Sequence, residues 1–152
     1  MKKIFIAIVL FTGFAFQSKG QDYVSISKEY CDCFKKLKDT MDTEFRVLLI
    51  RVAKQADVKT AFAKEMANLD SPKQKRLAEQ LEALGTDLES EETESGRCGM
   101  ALDKKYDKYI DTPKKEMDFT VKLTDELKKN KSCEFLWAVS VFALAFSEDQ
   151  DK

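Results

Sequence analysis

The chain has 152 residues, with 26 basic and 27 acidic side chains, four cysteines and no histidine. The missing histidine removes the commonest general base, the Ser-His and Cys-His nucleophile pairs and the H-E-x-x-H metal sites together. The slightly acidic balance offers no excess of cations to neutralise phosphates, so nucleic acid is excluded as a natural partner.

Lys2 and Lys3 precede a run without charges over residues 4–16, too short for an ordinary membrane-spanning helix but suited to a signal h-region. Ser18 and Gly20 then place small residues third-last and last before Gln21, as signal peptidase requires. Residues 1–20 are therefore read as a cleaved signal peptide, in preference to a permanent anchor. No cysteine sits at that junction for lipid attachment. Cleavage leaves 23 basic and 27 acidic residues in a mature chain of 132, a formal charge of −4. Such a length suits one domain, residues 21–152, in which 147–152 form a polar tail. No permanent membrane span is expected after cleavage.

In the mature part, Tyr30, Phe34, Leu37, Met41, Phe45, Leu48 and Val52 recur at steps of three and four. The spacing predicts one long helix over residues 24–54, with an interruption near Asp42-Thr43. Val58, Phe62, Met66 and Leu69 mark a second helix. Ser71-Pro72-Lys73-Gln74 reads as the start of a third, with serine as the cap, proline in the first turn and Gln74 closing a capping box. Leu77, Leu81, Leu84 and Leu88 give its inward face, which Gly85 either ends or weakens. The acidic, glycine-containing stretch 87–99 reads as a solvated loop or frayed helix end, since its spacing does not match a calcium loop.

Met100, Leu102, Tyr106, Tyr109 and Ile110 restore helical spacing until Asp111-Thr112-Pro113 stops one helix and starts the next. Residues 117–123 alternate apolar and polar like a strand. Helix is still expected there, because no other segment supplies a partner strand. Residues 133–146 are apolar nearly all round, which predicts a buried helix in the core. The fold class is thus all-α: a small disulfide-stapled bundle of about five or six helices, mostly antiparallel neighbours, with the apolar C-terminal helix inside.

Cys31, Cys33, Cys98 and Cys133 all follow the leader, and an even number of cysteines in an exported chain reads as a disulfide framework. Helical residues two apart point about 200° from each other, so Cys31 and Cys33 are not expected to pair. Each is expected to bond one of Cys98 and Cys133, with the pairing open. Those two cysteines and the C-x-C pair all fall near the beginnings of predicted helices, which alternating helix directions can bring to one end. A soft-metal site using these thiols and Met100, or a redox-active Cys31-Asp32-Cys33, ranks below disulfides in an oxidising compartment.

No catalytic, cofactor-binding or metal site is predicted. Tyr106, Tyr109, Phe119 and Trp137 are read as core or core-edge residues in preference to a ligand cage. The expected role is that of an exported, non-enzymatic protein of the periplasm or extracellular space that binds another protein or serves as a structural module. The alternatives are a carrier holding an apolar small molecule or lipid against Trp137, Phe142 and Phe146, or docking to a membrane surface through the same helix.

Overall fold

The computed structural model describes residues 22–147. The expected signal peptide and cleavage point, and residues 148–152 of the expected polar tail, lie outside the described residues. Within them all regular structure is helical. The order is α1 (Tyr23–Cys33), α2 (Leu37–Thr40), α3 (Thr43–Ala53), α4 (Val58–Ala67), α5 (Ser71–Glu89), α6 (Glu94–Tyr106), a 3-10 turn (Asp107–Tyr109), α7 (Pro113–Lys129), a second 3-10 turn (Lys131–Cys133) and α8 (Glu134–Ser147). Apart from the single turn α2, seven helices are present among the described residues, more than the five or six expected.

The extra count comes from the first segment. The predicted helix over 24–54 is broken at Met41-Asp42, close to the expected interruption, and also at residues 34–36. At the latter, Lys35 and Leu37 donate to Asp32 and Phe34, so the ladder tightens to i→i+3 bonds. A step of three residues serves a 3-10 turn as well as an α-helix, which is why the apolar periodicity runs through the break. Tyr30, Phe34, Leu37 and Met41 stay buried across it. The bend lets α1 pack on α6 and α7 while α3 packs on α8 and α4.

Caps set most helix starts. The carboxylates of Asp22, Asp57 and Asp70 accept the backbone N–H of Ser25, Thr60 and Lys73, and the hydroxyls of Thr93 and Thr112 accept those of Gly96 and Lys115. Asp70, not the expected Ser71, caps α5. No capping box forms, because the Gln74 amide donates instead to the carbonyls of Met66 and Leu69 and ties the α4–α5 turn. Gly85 does not end α5, which runs on to Glu89. The stretch read as a loop, 87–99, is mostly helix on either side of a turn at Ser90–Thr93. Thr93 makes that turn by donating to the Asp87 carbonyl and capping α6, which satisfies backbone groups that a loop would leave to water. A methyl on Gly96 would collide with the Ser90 carbonyl, so the return of the chain depends on a bare α-carbon there.

Residues 117–123 belong to α7. Phe119, Leu123 and Leu127 face inward at steps of four, while Met117 and Val121 are exposed, so the strand-like alternation mixes one buried and one solvated helical stripe. In α8 the residues Phe135, Leu136, Trp137 and Ala138 are buried, whereas the far end carries exposed Ala143 and Phe146. Its buried side chains are concentrated in the first half, with Phe142 a further one beyond it.

Phe45 is 0% exposed at the centre of this core, on the face of α3 shared with Leu48, Leu49 and Val52. Replacing it with alanine should cost about 3–5 kcal/mol. Urea unfolding followed through Trp137, the only tryptophan and 6% exposed, checks both points. Emission should be blue-shifted in the folded protein and move to the red at a lower urea concentration in Phe45→Ala.

Candidate functional site

Two disulfides meet at the last turn of α1. Cys31 is bonded to Cys133 with 5.5 Å between α-carbons, and Cys33 to Cys98 at 5.7 Å. The C-x-C spacing sends the two sulfurs to opposite sides of the helix, one to the turn before α8 and the other to the second turn of α6. The placement of Cys31 and Cys33 corrects the sequence reading: they lie at the end of α1, not near a helix beginning. The chain turns there because α1 stops at Cys33, and this turn, not a shared set of helix starts, brings the four cysteines together. With all four sulfurs engaged, a thiolate metal site would require reduction first.

Polar ties between α1 and α6 reinforce the clamp. Glu29 accepts from Lys105 at 2.6 Å and from the Tyr106 hydroxyl at 2.9 Å, and the buried Tyr30 hydroxyl donates to Asp103 at 3.2 Å. The bonds from Lys105 and then Tyr106 hold the Glu29 carboxyl below the usual carboxylate range. Burial first, and then the charge of Asp103, push the Tyr30 phenol well up.

The clamped frame leaves two apolar clefts. The first, of about 350 Å3, lies between α3 and α5. Its apolar lining includes Phe45, Leu48, Leu69 and Leu77, with Val47 at the lip and 54% exposed. At one end Arg76 and Gln80, one turn apart on α5, bind the Asp42 side chain at 2.7 Å and its backbone N–H at 2.8 Å. Arg51 pairs with Glu65 of α4. Lys73 and Glu44, on facing helices, have no ion-pair partner among the described residues. The second cleft, of about 240 Å3, lies where α1, α6, α7 and α8 meet.

The residues expected to contact an apolar ligand are placed elsewhere. Trp137 and Phe142 are buried in the core. Phe142 and Phe146 join Phe62 in an aromatic group, with the Phe62 ring edge-on to both at 5.3 and 6.3 Å and Lys59 over Phe146 at 5.8 Å. None of the three lines either cleft. Tyr106, Phe119 and Trp137 are buried and Tyr109 is partly so. Sequence reasoning missed Val47, Lys73 and Arg76; Val47 alone carried a signal, as an apolar side chain on the polar face of the first predicted segment, while Lys73 and Arg76 look like any solvated helix face.

No known family, characterised protein or solved structure matches this chain. Among the described residues no helix is long and apolar enough to cross a membrane.

Two measurements bear on the clamp. Removing the Cys33–Cys98 bridge by paired serine substitution should lower stability by up to about 4 kcal/mol in urea, as for a cross-link over some 65 residues. Glu29 contributes stability above the normal carboxylate range that disappears as pH falls through its lowered pKa. Glu29→Gln should therefore lose less than about 1 kcal/mol near neutrality and show a shallower stability loss in acid, read from urea midpoints across pH.

Proposed function

We propose that this is an exported, non-enzymatic binding protein, a disulfide-stapled bundle with mostly antiparallel helices that acts in the periplasm or extracellular space. Its α3–α5 cleft receives the apolar stripe of an amphipathic helix from a partner protein. The observation that carries this reading is the apolar cleft itself, open at Val47 and bounded by charges of both signs. Arg76 and Arg51 are already paired, which leaves Lys73 on one wall and Glu44 on the other to orient the partner. A helix carrying acids on its α5 side and bases on its α3 side complements that arrangement.

Export is supported by the leader pattern together with two intramolecular disulfides, which persist in oxidising compartments. The antiparallel reading is supported by Lys54, just after α3, meeting Glu134 at the start of α8 at 2.7 Å. A non-enzymatic role is supported by the lack of histidine, the commonest general base.

A photo-crosslinking amino acid at position 47, in protein exported by its own host, tests the proposal. The expected adduct is with one protein, through an apolar and acid-flanked peptide identified by mass spectrometry, and it is weakened at least fivefold by Lys73→Glu. The reading fails if position 47 captures no more than the same label at exposed Lys128, or if the captured peptide is polar throughout.

A further inference from the structure

The second cleft differs from the first in the sign of its charges. Its walls are the rings of Tyr30, Phe34 and Phe119 and the aliphatic side chains of Leu123, Leu136 and Val139. Tyr30 is the central ring, with its centroid 6.2 Å from both Phe34 and Phe119. The charged residues lining the cleft are Asp103 from α6 and Glu116 from α7, both exposed. No lysine or arginine lines it, and neither carboxylate has an ion-pair partner among the described residues.

The neutral polar groups of the cleft are already committed. The Thr120 hydroxyl donates to the Glu116 carbonyl, the Ser140 hydroxyl to the Leu136 carbonyl and the Tyr30 hydroxyl to the Asp103 carboxylate. What remains for a ligand is therefore apolar and aromatic surface and two negative charges. Anions are repelled by that combination, and uncharged polar molecules find few open partners. A cation with an apolar tail is served by all three features, since aromatic faces and carboxylates both attract ammonium groups.

We infer that this cleft, where α1, α6, α7 and α8 meet, binds a small free ammonium amphiphile, with the cation at Asp103 and Glu116 beside the aromatic rings and the tail between Leu123, Leu136 and Val139. The volume of about 240 Å3 holds a headgroup with a short chain and not a full lipid. The site is separate from the α3–α5 cleft and stands whether or not a protein partner docks there. The disulfides serve it directly. Cys33–Cys98 joins α1 to α6, two of the four elements that form its walls, and Cys31–Cys133 joins α1 to the turn that leads into α8.

The test is a titration of the full exported protein with hexyltrimethylammonium, read by methyl NMR shifts, with hexanesulfonate as the anionic counterpart. Saturable shifts are expected at Ile110, Leu123, Leu136 and Val139, with none at Val47 or Leu77 of the other cleft. Asp103→Asn with Glu116→Gln should weaken binding at least tenfold. Asp118→Asn, which neutralises an exposed carboxylate on α7 outside this cleft, should change it less than twofold. Ser140→Leu should abolish the shifts by filling the tail site while Trp137 emission stays blue-shifted. Equal binding of hexanesulfonate, undiminished binding by the Asp103/Glu116 double variant, or the absence of saturable shifts overturns the inference. Binding that appears only with phosphatidylcholine vesicles, and not with the free cation, overturns it as well.

Discussion

Cys31 and Cys33 lie two residues apart in the last turn of α1, so their side chains leave the helix in nearly opposite directions. Each is bonded to a segment far along the chain, over sequence separations of 102 and 65 residues. One short stretch of α1 therefore holds α6 on one side and the entry to α8 on the other. The rest of the fold is arranged around that double attachment. α7 packs against both α1 and α8, while the turn after Cys33 swings α3 onto α8. Cross-links that close such long loops remove a large share of the unfolded chain's freedom, which matters in a domain whose core must also satisfy several short helices.

Apolar burial and surface charge then divide the work. The deepest side chains, Phe45, Leu37, Leu49, Val52 and Leu127, come from the elements that flank the clamp. Ion pairs between elements lie at their solvent-facing edges, as Lys105 with Glu29 and Arg76 with Asp42, and others are local pairs three or four residues apart, such as Lys75 with Glu79. Pairs of that kind add little to stability and more to register. Where pairing is complete, as at Arg76, a cleft edge is closed. Where carboxylates are left without cations, as at Asp103 and Glu116, a cleft acquires a sign. The two clefts thus differ in what they can hold, although both have apolar linings.

The same division explains what could be read before folding was known. The helical nature of 117–123 was legible despite its alternation, because no strand elsewhere could pair with it. The start of α7 was legible in Thr112-Pro113, but the start of α5 was misplaced by one residue, since Asp70 and Ser71 are both good caps and only the backbone angles choose between them. The break after Cys33 was hidden because a 3-10 turn keeps the same three-residue apolar spacing as the helix it interrupts. The alternative of an apolar-ligand carrier rests on Trp137, Phe142 and Phe146 because they are large and apolar. Size and apolarity do not say which side chains border an opening: these three line neither cleft, while Tyr30, Phe34 and Phe119, no more exposed than Phe142, line the second.

By itself, then, the sequence determined the helical class, the start of α7 at Thr112-Pro113 and the incompatibility of Cys31 with Cys33, all of which follow from angles and hydrogen bonds between residues a few positions apart. Tertiary structure decided which distant cysteine each one meets, where the first helix bends and which side chains border the clefts. Those outcomes depend on how segments far apart in the chain pack together, and no periodicity within a segment encodes the partner it will face.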